Sequence, residues 1–164
     1  MPQHPIAPVY DEHSRILILG SFPSVRSRET GFYYGHERNR FWAVLSGLLN
    51  EPLPTSIDEK KQMLLKHGIA LWDVIGSCNI VGSSDAKITN AVVNDLHPIL
   101  DTANIRCIFI NGTQAYRLYE KYMQPLTGIP AVRLPSTSPA NAAWSLDKLL
   151  GAWSVITDNL NTEE

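Results

Sequence analysis

The chain has 164 residues, of which 44% are hydrophobic and 18% charged, and its formal net charge is −2. These values predict a single domain over residues 1–164 and argue against a disordered chain. They also exclude a nucleic-acid binder held by a strongly basic surface, although amides, hydroxyls and a few cations can still contact phosphates. No apolar run is long enough to span a membrane, and the N-terminus lacks the basic and apolar regions of a secretory signal. With only two cysteines, the chain is expected to be cytoplasmic and to have no membrane partner.

Four short apolar segments are typical of the buried strands of a parallel sheet, and they cover residues 15–20, 69–75, 106–111 and 131–134. Helical patterns alternate with them, and these cover residues 40–49, 58–67, 95–103, 114–123 and 142–160. Ser56 and Glu59 form a capping box at the second helix, and Gly68 follows its end. We therefore predict an α/β fold: one three-layer domain with a central, mostly parallel four-stranded sheet flanked by helices.

Ligand sites of such sheets lie beyond the carboxyl ends of the strands. The long connection at residues 20–42 follows the first strand and is rich in aromatic residues, hydroxyls and glycine. Its aromatic residues offer flat faces for stacking a planar ring, or they simply cover the end of the sheet, and these residues are Phe22, Phe32, Tyr33 and Tyr34.

Two other strand ends carry polar groups. Asp73 interrupts an apolar strand, and a buried carboxylate needs partners, which are either a ligand or nearby backbone amides. Ser136, Thr137 and Ser138 lie between two prolines, where hydroxyls and amides suit an anion such as phosphate. The alternative for this segment is a turn that leads into the last helix with Asn141 as N-cap.

The sequence carries no glycine-rich nucleotide loop, no zinc-protease motif and no serine-hydrolase elbow. Its five histidines show no metal-ligand spacing, so we expect neither a metal nor a cofactor. Cys78 and Cys107 are interpreted as small buried hydrophobic residues.

Several short motifs, in order along the chain, resemble the uracil-DNA glycosylase superfamily. Gly20-x-x-Pro23, Thr30-Gly31-Phe32, His36 and Asn39-x-Phe41-Trp42 are similar to its first motif region. Leu134-Pro135-Ser136 is similar to its second motif, and Asn111-Gly112 also fits. The resemblance covers roughly residues 14–155, and it is greatest to the hypoxanthine-DNA glycosylase branch.

Two positions depart from the common superfamily pattern. Phe22 stands where most members carry an Asp or Asn that handles the attacking water, and Leu134 stands where they carry a His or Asn. Both positions are also apolar in the hypoxanthine branch, where the Asn before the Phe-Trp pair is thought to take over. The resemblance therefore implies that Asn39 positions the water, through its carbonyl, while it also caps the following helix.

The resemblance implies roles for further residues. The backbone of Ser21 and Phe22 would contact a base flipped out of DNA, and Tyr34 or Phe22 would stack on it. Asp73 would accept a hydrogen bond from hypoxanthine N1–H, and Asn111 would face the pocket. The DNA backbone would be contacted by Ser24, Lys87, Ser136 and Ser138, and the 137–140 loop would probe the gap in the base stack.

The activity implied is monofunctional excision of a deaminated base from DNA, without a lyase step, by a protein whose length suggests a monomer. Uracil or xanthine remains an alternative substrate. A catalytically inactive DNA- or nucleotide-binding module and an enzyme acting on free nucleosides are the alternatives from other classes.

Overall fold

The computed structural model describes residues 6–22, 25–79 and 89–160. None of the helices in these ranges is long and apolar enough to cross a bilayer. The elements follow in the order β1 (Ile16–Gly20), α1 (Val25–Thr30), α2 (Phe41–Leu49), α3 (Ile57–Lys66), β2 (Ile69–Asp73), β3 (Ile75–Asn79), β4 (Thr89–Val93), α4 (His97–Thr102), β5 (Cys107–Asn111), α5 (Thr113–Leu118), a π-helical turn (Tyr119–Met123), α6 (Gln124–Thr127), β6 (Ala131–Leu134), α7 (Leu146–Trp153) and α8 (Val155–Leu160).

The central sheet has the order β2-β1-β5-β6, and all its strand pairs are parallel. This confirms the predicted four-stranded sheet, with each strand formed by one of the four apolar segments. Ile16, Leu17, Ile18 and Leu19 of β1 are fully buried, as expected for a strand with neighbours on both sides and helices on both faces.

Helices cover both faces of the sheet, which confirms the three-layer architecture. Successive strand residues point to opposite faces, so Ile16 and Ile18 pack on one side while Leu17 and Leu19 pack on the other. The first side is covered by α2, α3, α7 and α8 and the second by α4, α5 and the π-helical turn.

A small antiparallel sheet of β3 and β4 was not predicted. The segment 69–75 was interpreted as one strand, but β2 ends at Asp73 and β3 begins two residues later. The backbone N–H groups of Val74 and Ile75 donate to the carbonyls of Gly20 and Ser21, which redirects the chain at the end of β1. An apolar run carries no signal of this change, since both strands are buried there.

Two helices differ from the sequence-based interpretation. The helix predicted at 142–160 begins at Leu146, where Ser145 accepts a hydrogen bond from Lys148 N–H at 3.2 Å. The Asn141 N-cap is therefore wrong, and Asn141 Nδ2 instead donates to the Ser136 carbonyl at 3.0 Å. The helix predicted at 114–123 passes into the π-helical turn after Leu118. The short helix α1 was not predicted.

The capping box predicted at α3 is present in modified form. Ser56 Oγ accepts from Glu59 N–H at 3.1 Å, as a capping box requires. The Glu59 carboxylate accepts from the N–H and hydroxyl of Thr55, one residue before the N-cap. Gly68 follows the helix with a φ of 75°, a conformation that favours glycine.

Candidate active site

A cleft of about 810 Å³ opens at the carboxyl ends of the four parallel strands, the edge where a ligand site was predicted. This volume is in the range of small-molecule sites. Its lining residues are Gly20, Ser21, Phe22, Ser27, Tyr33, Tyr34, Asn39, Asp73, Asn111, Thr113, Arg133, Leu134, Pro135, Ser136, Thr137, Ser138, Ala140, Asn141 and Trp144.

The cleft brings together eight of the ten residues that the sequence singled out for the site. These are Ser21, Phe22, Tyr34, Asn39, Asp73, Asn111, Ser136 and Ser138. Ser24 and Lys87, the other two, lie outside the described residues. Phe22 is 92% buried and packs in the cluster on the α4–α5 side of the sheet. It therefore covers the end of the sheet and also lines the cleft, and its stacking on a planar ring stays a prediction.

Asn39 lies just before α2 and is held by its carbonyl oxygen. Asn39 Oδ1 accepts from Phe41 N–H at 3.0 Å and from the hydroxyl of Thr137 at 2.8 Å. Phe41 is the first residue of α2 and Arg40 is its N-cap, which makes no side-chain cap hydrogen bond. The predicted N-cap role of Asn39 is therefore wrong, and its side chain instead forms an Asx turn with the first N–H of the helix. These two donors occupy both lone pairs of the oxygen, and with the described part of the chain Asn39 Nδ2 forms no hydrogen bond.

Thr137 links Asn39 to Asn111, which lies at the end of β5. Its backbone N–H donates to Asn111 Oδ1 at 3.1 Å, and its hydroxyl oxygen accepts from Asn111 Nδ2 at 3.0 Å. The Thr137 side chain is fully buried. Sequence reasoning grouped this threonine with its neighbouring serines as an anion contact, and no local pattern distinguishes it as the residue between two asparagines 72 positions apart.

Asp73 and Tyr34 converge over Gly20, the last residue of β1. Asp73 is 96% buried and lies opposite Gly20 in the sheet register. A Cβ atom added at Gly20 would lie 2.5 Å from Asp73 Oδ1 and 2.9 Å from the Tyr34 hydroxyl. The close approach of these two polar groups therefore requires a glycine at this position.

The aromatic wall of the cleft rests on the core. The Tyr34 ring stacks on Phe41 with a centroid distance of 4.1 Å and an interplanar angle of 20°. Burial, followed by the nearby Asp73 carboxylate, raises the pKa of Tyr33 well above its ordinary value of 10.0. The Tyr33 phenol thus stays protonated, and it donates to the Ala7 carbonyl at 2.9 Å.

Arg40 holds the loop at residues 136–144, and sequence reasoning missed it. Its Nη2 donates to the carbonyls of Ser138 at 2.9 Å and Asn141 at 3.1 Å, while Nη1 donates to the carbonyl of Trp144. Its backbone N–H donates to the Thr137 carbonyl at 3.1 Å. No sequence signal separates Arg40 from the other arginines of its segment.

The serine hydroxyls of this loop contribute to its shape. Ser136 Oγ accepts from Ser138 N–H, and Ser138 Oγ accepts from Ala140 N–H, both at 3.1 Å. Each hydroxyl proton can still be donated, which is what a phosphate contact requires. Among the described residues that line the cleft, the charged ones are Asp73 and Arg133, and none is a lysine. The described part of the chain has no cluster of three or more metal-ligating His, Cys, Asp or Glu side chains.

The parallel sheet, the cleft at its carboxyl edge and the two motif loops define a glycosylase-like α/β domain, and comparison with known proteins agrees. Residues 7–157 match the family model of the uracil DNA glycosylase superfamily. The protein belongs to this superfamily.

Two curated relatives cover most of the chain. The hypoxanthine DNA glycosylase of Methanosarcina acetivorans is 37% identical over 142 residues, which are 85% of this chain and 89% of the relative. The hypoxanthine DNA glycosylase of Methanosarcina barkeri is 32% identical over 94% of this chain and 97% of its own. A solution NMR structure from Methanosarcina acetivorans, described provisionally as a uracil DNA glycosylase, superposes with a TM-score of 0.81 and is 31% identical, covering 96% of this chain and 97% of its own.

Proposed function

We propose that this protein is a monofunctional hypoxanthine-DNA glycosylase of base excision repair. It flips deoxyinosine out of DNA and hydrolyses the bond between the base and the sugar. The two relatives named for this activity, each above 30% identity over most of the chain, support this function. The observation that carries it is the polar pair formed by Asn39 and Asn111 in a cleft whose Phe22 and Leu134 cannot activate water.

The chemistry is a hydrolysis that develops positive charge on the sugar. The bond between C1′ and N9 breaks, the water oxygen bonds to C1′, and the water proton balances the charge of the departing purine. Asn39 is not a base, so its contribution is to position the water, and positioning alone can supply a large rate enhancement. Asp73 accepts a hydrogen bond from N1–H of the flipped base, while Tyr34 and Phe22 lie against its ring.

The proposed reaction stops at the abasic site, because a lyase step needs an amine nucleophile and no motif of the sequence places a lysine for it. We also propose that one domain spanning residues 1–164 acts as a monomer in the cytoplasm, with DNA as its partner and without a cofactor. Ser136 and Ser138 contact phosphates beside the lesion. Ser24 and Lys87 remain predicted DNA contacts.

The test uses labelled duplexes that carry one deoxyinosine, uracil or xanthine opposite each normal base. We expect the purified protein to produce alkali-sensitive sites at deoxyinosine, with no strand break before alkali is added. Breaks without alkali would contradict the monofunctional assignment. Cleavage mainly at uracil would reassign the substrate within the superfamily, and no cleavage of any duplex by a folded protein would indicate a binding module.

The Asn39→Ala variant tests the role of Asn39. We expect its single-turnover rate on deoxyinosine to fall by about 100-fold or more, since removal of one well-placed polar group from an active site has effects of this size. Asn104→Ala is the matched control, because Asn104 is exposed and does not line the cleft. Equal rates for the two variants would show that Asn39 does not act in the reaction.

A further inference from the structure

The orientation of the Asn39 side chain determines what it can do to a water. A side-chain amide has a carbonyl oxygen that accepts hydrogen bonds and an NH2 group that donates them. The two ends are almost equal in shape, so packing alone does not select between them. The selection depends on the partners of each end.

Backbone donors fix the two asparagine oxygens. The N–H of Phe41 faces one atom of the Asn39 amide, and the N–H of Thr137 faces one atom of the Asn111 amide. A backbone N–H can only donate, so both of these atoms are oxygens. The other amide atom of Asn111, 3.0 Å from the Thr137 hydroxyl, is therefore its NH2 group.

The Thr137 hydroxyl then has one arrangement left. It accepts from Asn111 Nδ2, so its single proton points to Asn39 Oδ1 at 2.8 Å. Asn39 Oδ1 already accepts from Phe41, and the second hydrogen bond fills its remaining lone pair. Because Thr137 is fully buried and its backbone N–H is tied to β5, the hydroxyl cannot rotate toward water.

We propose that Thr137 is a positioning residue that locks Asn39 with its NH2 group toward the cleft. Asn39 then holds the attacking water by donating a hydrogen bond to the water oxygen, rather than by accepting one through its carbonyl. The water keeps its other lone pair for C1′. This inference rests on the proposed glycosylase function, and it revises the expectation that the Asn39 carbonyl orients the water.

Thr137→Val tests the hydroxyl, since valine keeps the branched shape and removes the proton. We expect its single-turnover excision rate at saturating enzyme to fall by about 10- to 100-fold, the size of effect expected for a misplaced catalytic group. The dissociation constant for the deoxyinosine duplex should change by less than about 3-fold, because the Thr137 side chain is buried and its hydroxyl is held between the two asparagines.

Thr137→Ser is the matched control, because it restores the hydroxyl without the methyl group. We expect its rate to return to within about 3-fold of the unsubstituted protein. Equal losses in the serine and valine variants would show that the methyl group matters rather than the hydroxyl, and this would overturn the proposal. A Thr137→Val variant as active as the unsubstituted protein would overturn it as well.

A double variant separates action through Asn39 from a general structural role. In the Asn39→Ala background, Thr137→Val should lower the residual rate by less than about 2-fold, because the group it positions is gone. If Thr137→Val lowered the rate of the Asn39→Ala protein by as much as it lowers the rate of the unsubstituted protein, the proposal would be overturned.

An NMR measurement on the unsubstituted protein needs neither folding of a variant nor activity. We expect a slowly exchanging Thr137 hydroxyl proton with a nuclear Overhauser effect to the side-chain amide of Asn111. Its absence would overturn the proposed orientation. If this signal is present while no duplex is cleaved, the orientation is supported and the glycosylase function alone fails.

Discussion

Crowding above Gly20 makes this glycine part of the site. Asp73 and Tyr34 approach the position where any other residue would carry its Cβ atom. The carboxylate and the phenol can therefore lie side by side at the end of β1. A flipped base that reached the end of β1 would contact this polar pair, the Asp73 carboxylate and the Tyr34 hydroxyl.

Gly20→Ala should displace the Asp73 carboxylate and the Tyr34 hydroxyl. We expect a loss of about 1–3 kcal/mol in the free energy of unfolding, as for other insertions into a packed interior. The deoxyinosine excision rate should also fall, because Asp73 and Tyr34 must move apart. The measurements are urea unfolding and single-turnover excision.

Gly151→Ala is the matched control for this substitution. Gly151 lies inside α7, and an added Cβ there would meet no atom within 4 Å. We expect a gain of up to about 1 kcal/mol in the free energy of unfolding, since alanine favours helix, with excision unchanged. A Gly20→Ala protein as stable and active as this control would contradict the crowding argument.

Single residues were predictable where their chemistry shows in local motifs. Asn39 precedes a Phe-Trp pair and Asp73 interrupts an apolar strand, so both could be found from the sequence. Thr137 could not be selected over Ser136 and Ser138, because its importance comes from two asparagines that are distant in the chain. Only after folding does the Thr137 hydroxyl accept a hydrogen bond from Asn111 Nδ2 and donate one to Asn39 Oδ1.

At the scale of elements, Arg40 joins the start of α2 to the loop that follows β6. Its guanidinium donates to three loop carbonyls, those of Ser138, Asn141 and Trp144. A planar fork with several donors suits such an arrangement better than an ammonium group does. Arg40, the residue after Asn39, thus holds the 137–140 loop, which is predicted to probe the gap in the base stack.

Removing this fork should loosen the loop. We expect Arg40→Ala to lower the free energy of unfolding by about 1–3 kcal/mol, because three carbonyls lose their donor. The ratio of excision rates on duplex over single-stranded deoxyinosine should fall, since a loose loop supports a flipped base less well. For Arg40→Lys, we expect both the free energy of unfolding and this ratio to lie between those of Arg40→Ala and of the unsubstituted protein.

Arg38→Ala is the control for the loss of a positive charge near the site, as Arg38 is exposed. We expect neither its stability nor its duplex preference to change. If Arg40→Ala gave the same result as Arg38→Ala, the loop would not depend on the guanidinium.

Strands and helices could be predicted from the sequence where a local pattern of residues determines them. The four strands of the central sheet are short apolar runs that require burial, and all four were found. The start of α7 at Leu146 was not, because the preceding residues are held by Arg40 in a loop instead of continuing the helix. The β3–β4 pair was missed because the segment 69–75 was interpreted as one strand, so the start of β3 was not separated from β2.

At the scale of the whole molecule, a net charge of −2 means that the protein approaches DNA without a strong overall attraction. Arg133 is the cation among the described residues lining the cleft. We therefore expect binding to DNA to depend on a few local phosphate contacts and on the flipped base. Such binding releases few counterions.

The salt dependence of binding measures this directly. We expect the logarithm of the association constant of Asn39→Ala for a deoxyinosine duplex to fall with the logarithm of salt concentration with a slope of roughly −2 to −3, as for two or three phosphate contacts. The measurement is fluorescence anisotropy between 25 and 200 mM NaCl, concentrations at which such slopes are resolved. A slope steeper than about −6 would contradict this picture.

Substitution of Arg133 refines the same measurement. Adding Arg133→Ala should make the slope about 1 unit shallower if this side chain pairs with a phosphate. Arg117→Ala, on an exposed arginine of α5 that does not line the cleft, should leave the slope unchanged. Identical slopes for the two would remove Arg133 from the DNA contacts.

The sequence by itself determined the layered fold, the edge of the sheet that carries the cleft and eight of the residues that line it. It could do so because buried strands, capped helices and strand-end polar residues are written in local patterns. Only the tertiary structure decided that Thr137 joins Asn39 to Asn111, why Gly20 has no side chain and how Arg40 holds the loop. These features depend on hydrogen bonds and close approaches between residues far apart in the chain, and such contacts leave no periodic signal in the sequence.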